Sequence, residues 1–337
     1  MLYVVIAFLF LSVILYILLG GADFGAGIVE LFTGKKARNR TQNLMYESIA
    51  PVWEANHMWL IIAIVVVFVG FPDIYEVLSV YLHIPLVLML LGIIARGTAF
   101  TFRNYDAIDD NWKNVYREVF YYSSLATPFF IGSIVAATIS GSINPDAKDF
   151  LSLYVYSWFN PFGMAVGIFT IVICGYLASI YSLREADSKA DVKQMMKKTR
   201  DMMLAVFVSG GLVFVVAYFS GIPLIDWVFT GAIGITAVVA ATISLGILLW
   251  CINHNFLWPV RGLGAFQIIM IMTAAAYRHI PNIILLGNGK HISLIENTAP
   301  ESTLTVLGYA LLIGSVFILP FLFYLMFSFS KAGKRGE

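Results

Sequence analysis

Nine apolar stretches dominate the chain, and each is about as long as the 20 residues that a helix needs to cross a hydrocarbon layer roughly 30 Å thick. They run at approximately 3–32, 46–71, 75–102, 114–140, 160–183, 201–221, 226–251, 260–284 and 303–330. In lipid every backbone polar group must be satisfied internally, so stretches of this length are read as helices. The expected fold is therefore all-α, a polytopic membrane protein with nine transmembrane helices and no separate soluble domain. Composition agrees: 60% of residues are hydrophobic and 12% charged, against about 25% charged in soluble domains. A net charge of +1 offers no field for nucleic acid. Cys174 and Cys251 sit in apolar runs and suggest neither a disulfide framework nor a thiolate metal site. The first stretch lacks a basic leader and a small-x-small cleavage site, so it is kept as a mature helix rather than a signal peptide.

Lysines and arginines set the expected orientation. One side carries Lys35, Lys36, Arg38 and Arg40; Arg103, Lys113 and Arg117; Arg184, Lys189, Lys193, Lys197, Lys198 and Arg200; Arg261; and Lys331, Lys334 and Arg335. The other side has only Lys148, Arg278 and Lys290. The basic side reads as cytoplasmic, with the N-terminus outside and the C-terminus inside. Turn-rich connections lie opposite; the longest, about 285–302, reads as a small cap without a catalytic pattern.

Ionisable groups inside spans are expensive and are functional candidates by default. Here they are Asp23, Glu54 with His57, Arg96, and more weakly His83, Arg278 and His279. At about 1.5 Å per residue, Asp23, Glu54, His57 and Arg96 fall in one layer of the cytoplasmic third. That depth predicts a charge-paired cluster of Asp23, Glu54 and Arg96 across three neighbouring helices. The stretch SIAPVWEANHMWL (48–60) is the densest polar insertion, and Glu54 and His57 share a helix face. Glu and His at such a depth can carry protons. A structural hydrogen-bond network gives the same pattern, and for Arg96 a counter-ion role is the better reading. Axial haem ligation needs His or Met facing a cofactor cavity. His57 and His83 lie at different depths, and His83 with His279 is the one conceivable pair. Gly20, Gly21, Gly25 and Gly27 read as packing residues, with Gly21 and Gly25 spaced GxxxG.

GADFGAG ending the first span, SIAPVWEANHMWL opening the second, IARGTAFTFR closing the third and NPFG (160–163) opening the fifth occur in this order. Together they resemble subunit II of cytochrome bd-type quinol oxidases, over essentially the whole chain. The pattern W-[DE]-x-N-x-x-W at Trp53, Glu54, Asn56 and Trp59 is the most specific part. The resemblance implies two four-helix bundles, here 1–140 and 160–284, plus a peripheral ninth helix at 303–330. It implies a multi-pass protein of the prokaryotic cell (inner) membrane. The complex would oxidise quinol and reduce dioxygen to water in aerobic respiration, generating proton-motive force. Two b-type haems and one d-type haem would belong to a homologous partner, subunit I. Subunit II would stabilise those haems and supply a proton path from the cytoplasm. By the same resemblance Asp23 falls on the proton path, Trp53 and Glu54 lie near the haems at the subunit interface, and Arg96 matches the third-span arginine. Glu54 and His57 are placed on the proton path by their own chemistry and depth, and Asn56 and Trp59 go with the haem-proximal or interface motif. Small accessory membrane subunits and a structural quinone or phospholipid also fit the family. Many members carry an acid where this chain has Gly20, an aromatic at Ala22, an acid at Thr101 and Asp rather than Glu at 54, so the route here has fewer acids.

A proton-coupled secondary transporter would also place carboxylates and glycines inside the membrane. Here the acids lie off the midplane, and the second half of the chain has no matching polar site. A pure scaffold, with every polar group structural, is the third reading.

Overall fold

A computed structural model describes residues 1–49, 53–105, 112–183, 185–186, 188–254 and 256–332. Helix α1 (Leu2–Leu31) is continuous through a π turn at Tyr16–Gly20. Helix α2 (Lys35–Ile49) follows as a separate element, and α3 begins at Trp53 and ends at Gly70. The second span is thus shorter than its expected 46–71, because α2 is polar apart from a narrow stripe. That stripe places Leu44 and Met45 in a core with Tyr176, Leu177 and Ile180. Residues 50–52, inside the motif that opens the second span, lie outside the described part.

Beyond α3 come α4 (Pro72–Tyr81), α5 (His83–Tyr105) and α6 (Trp112–Ser140). The FPDIYE connection is therefore a short helix with Pro72 in its first turn, where a missing N–H costs nothing. Helix α7 (Pro161–Ser182) starts from Asn160, whose side chain accepts the Gly163 N–H at 2.9 Å. Helix α8 (Lys189–Phe219) is capped by Ser188 and runs about three turns further into the basic connection than the apolar stretch alone indicates. Hydropathy marks only the part of a helix that lies in lipid. The chain continues through α9 (Leu224–Phe229), α10 (Ala232–Asn253) and α11 (Val260–Ala276). An antiparallel hairpin, β1 (Asn282–Leu285) with β2 (His291–Ser293), fills the long connection before α12 (Glu301–Ala332).

Among the described residues nine helices are long and apolar enough to cross a membrane: α1, α3, α5, α6, α7, α8, α10, α11 and α12. Helix α7 packs against α1, α6 and α8, with α11 behind it. Helices α10 and α11 pair with each other, and α12 leans on α1 and α3. Contact between α1 and α7 is close enough that a Cβ at Gly25 would lie 1.9 Å from the Cys174 carbonyl oxygen. A Cβ at Gly21 would meet Cys174 Sγ at 3.4 Å, which is ordinary contact. The two ends of GxxxG therefore differ: Gly25 must be glycine, whereas Gly21 has room.

Candidate functional site

Asp23 lies on α1, 2% exposed, and its Oδ2 accepts a hydrogen bond from Asn56 Nδ2 at 2.9 Å. Arg96 on α5 is completely buried, and its Nη2 donates to the main-chain oxygen of Asp23 at 2.7 Å. The guanidinium is ringed by Phe24, Phe100 and Phe120, with centroids 5.3, 6.0 and 5.4 Å from its central carbon. Aromatic faces of this kind partly replace lost hydration. Among the described residues, Arg96 Nε and Nη1 have no hydrogen-bond partner.

Seven residues further along both helices the arrangement recurs. Glu30 on α1 accepts two hydrogen bonds from Arg103 on α5, at 2.8 and 3.4 Å, with side chains 1% and 4% exposed. Both contacts span the same 73 residues, so α1 and α5 carry an acid–arginine register repeated after two turns, about 10 Å. Phe120 of α6 serves both layers: the Arg103 guanidinium sits 4.2 Å from its centroid. Between Asp23 and Glu30, on the same helix stripe, lies Gly27; a Cβ there would come within 2.3 Å of Ser124 Oγ. Ser124 Oγ and the Tyr121 hydroxyl are buried without a partner among the described residues. Beyond Glu30, Lys198 of α8 donates to Thr33 and, at 2.9 Å, to Thr41. Gln194 donates to Thr41 at 2.9 Å as well.

Glu54 is exposed on the surface of this chain. Among the described residues no hydrogen bond or ion pair joins it to Arg96 or Asp23, so the expected three-member charge cluster does not form. The reason is angular. Asn56 points inward to Asp23, and two residues of helix turn the side chain by about 200°, which aims Glu54 outward at the same depth. His57 is half-buried against Tyr16, Phe24 and Trp53, at 6.1, 5.9 and 6.4 Å between ring centroids, and its Nδ1 has no protein partner. Trp53 packs on Phe100 at 5.4 Å, and buried Trp59 leaves its Nε1 unpartnered. Gly20, where an acid was expected by resemblance, faces the Tyr16 ring; a Cβ there would lie 2.9 Å from it. Thr101 is exposed.

Hydropathy and depth alone missed Glu30, Arg103 and Lys198. Glu30 sits beside the helix end, and the two cations read as positive-side loop residues. The seven-residue steps Asp23 to Glu30 and Arg96 to Arg103 were the available signal.

Haem ligation was tested on the histidine surroundings. Among the described residues no group of three His, Cys, Asp or Glu is placed to hold a metal ion. Each histidine keeps separate local company: His83 takes Val80 O and the Tyr154 ring, His254 takes Trp250, and His279 packs on Trp227. Among the described residues no hydrogen bond or ring contact joins two of these histidines, and no step below runs through a haem in this chain.

A family model described as cytochrome bd terminal oxidase subunit II matches residues 1–329. The chain is 29% identical over 173 residues to cytochrome bd ubiquinol oxidase subunit 2 of Bacillus subtilis, covering 51% of this chain and 49% of that protein. It is 26% identical over 155 residues to cytochrome bd-I ubiquinol oxidase subunit 2 of Escherichia coli K12, covering 45% and 40%. The chain spans about half the length, or less, of these curated relatives. In fold it is similar to a chain of the bd oxidase from Geobacillus thermodenitrificans, with a TM-score of 0.75 over 96% of this chain and 97% of that one, at 18% identity.

Proposed function

Because the chain belongs to the cytochrome bd terminal oxidase subunit II family, we propose that it works as the non-haem partner in a membrane complex. That complex oxidises two quinols and reduces one dioxygen to two waters. Electron transfer to dioxygen is the chemistry of b- and d-type haems, which this reading assigns to a homologous subunit I. The residues of this chain hold and pass protons and cover one side of the partner. The two-bundle division at 1–140 and 160–284, with the ninth helix outside it, belongs to the same proposal, as does an orientation that makes the basic side cytoplasmic.

The observation that carries the reading is the exposure of Glu54 at the depth of buried Asp23 and Asn56. A carboxylate at that depth facing lipid is costly. Met58, Ile61, Val65 and Phe68 are exposed on the same stripe of α3. Steps of four and three residues along that stripe suit helix-on-helix packing. A protein surface therefore covers this seam, and Glu54 delivers to that surface. Asp23 is the internal proton-holding group, Asn56 fixes its carboxylate, and Arg96 supplies the compensating charge. His57, between the two acids' helix faces, has a free ring nitrogen for a water-linked step. An open apolar groove of about 670 Å³ between α5 and α6, lined by Leu88, Leu91, Val115, Val119 and Phe130, is where a structural quinone or phospholipid chain would lie.

The assembled complex tests this. Purified alone, the chain is expected to show no haem bands in a reduced-minus-oxidised spectrum; strong b- or d-type bands would refute the assignment. In the complex, Glu54→Gln is expected to slow oxygen reduction by about 100-fold, the low end for a lost proton-transfer group, with haem content unchanged. Normal turnover would make Glu54 structural, and lost haem would point to assembly.

A further inference from the structure

Glu30, Gly27 and Asp23 occupy one stripe of α1, at i, i−3 and i−7, facing α5 and α6. The middle position has no side chain, and what stands opposite it is Ser124 Oγ, buried and unpartnered. Tyr121 OH, Arg103 Nε, and Arg96 Nε and Nη1 are likewise buried without partners among the described residues. Five orphan polar atoms around one stripe between two carboxylates are unusual, since buried polar groups are nearly always satisfied. Ser124 itself packs into the Gly27 position, so water bonded to these atoms would lie to either side of it. The 10 Å between the acids is too long for direct transfer, but a short water file bridges it. On the basic side of Glu30 the polar chain continues through Thr33, Thr41 and Lys198 to Gln194.

From this geometry we infer that Glu30 is a second proton-holding group, in series with Asp23 and on its basic side. It replaces acids absent at Gly20 and Thr101, where the Tyr16 ring fills one position and the other faces outward. The Glu30 carboxylate takes a proton from water at the Thr33–Lys198 end. It passes that proton along water bonded to Tyr121 and Ser124 to the Asp23 carboxylate, and Arg103 pairs with the charge left behind. Arg103, Lys198 and Arg96 are the cations facing Glu30 from α5 and α8, and Tyr121 faces it from α6. This inference rests on the proposed proton route.

The test uses the complex with its haem-bearing partner and reads turnover, haem spectrum and proton uptake when oxygen meets the reduced complex. Glu30→Gln is expected to slow turnover and proton uptake by about tenfold or more, with the spectrum unchanged. Glu30→Asp, which keeps a carboxylate, is expected to retain most of the activity. The double variant Glu30→Gln with Arg103→Gln removes the unpaired cation and is expected to stay slow. Full turnover in the double variant would overturn the inference, because the pair would then be only structural; so would normal turnover in Glu30→Gln. Glu54→Gln measured alongside separates the two claims. If it is slow while Glu30→Gln is normal, only the Glu30 step fails; if both are normal, the route itself fails.

Discussion

The Asp23 layer and the Glu30 layer share a register, a pair of helices and the ring of Phe120, yet they satisfy their charges in different ways. At Glu30 the carboxylate and guanidinium meet directly, in a two-point ion pair at 2.8 and 3.4 Å. At Asp23 they do not. The arginine bonds the main chain, and the carboxylate takes a neutral amide from another helix. The Glu30–Arg103 pair compensates its charge directly, and removing one partner strands the other in a buried site. The open layer leaves the Asp23 carboxylate with one neutral donor, and Arg96 Nε and Nη1 without a partner among the described residues, so its charge is compensated less directly.

The comparison can be broken outright at Gly25, which lies between the two acids. Gly25→Leu forces the Cys174 main chain away from α1 and misaligns both layers. Overpacking there is expected to cost about 3 kcal/mol or more, seen as loss of assembled complex on size exclusion. Next in size, Arg103→Met is expected to destabilise by about 3 kcal/mol because Glu30 loses its partner. Arg96→Met, which breaks a charged hydrogen bond to a carbonyl, costs about 2. Thermal unfolding in detergent measures both, and equal shifts would erase the distinction between the layers. Asn56→Leu removes the amide that fixes Asp23 and is expected to cost about 1–2 kcal/mol. Its larger mark should be on turnover, since α3 then no longer holds the Asp23 carboxylate. Smallest is Lys198→Met: the ammonium is only half-buried, so losing its bonds to Thr33 and Thr41 costs about 0.5–1 kcal/mol, read as a slight fall in unfolding temperature. A drop comparable to Arg103→Met would instead make Lys198 part of the closed layer.

Several features were legible before any fold was known. Span number, the basic side, the shared depth of Asp23, Glu54, His57 and Arg96, and helix packing at the GxxxG of Gly21 and Gly25 were all read from period, length and residue size. Others were misread for one recurrent reason. Depth along a helix is additive, so counting residues finds it, but facing depends on how each helix is rotated against its neighbours. Glu54 was grouped with Asp23 by depth and turned out to lie on the opposite side of α3. Arg103 was taken as a basic-side connection residue and Glu30 was not singled out, yet both are buried and paired.

What the sequence by itself determined is the material of a membrane helix array: nine apolar lengths, cations gathered on one side, and small residues where helices touch. Lipid imposes those requirements on each segment separately, so they are written locally. Only the tertiary structure decided which acids meet which arginines, which carboxylate faces outward and where polar atoms are stranded together. Such pairings join residues 73 positions apart on two helices, and no local pattern fixes the rotation that brings them into one seam.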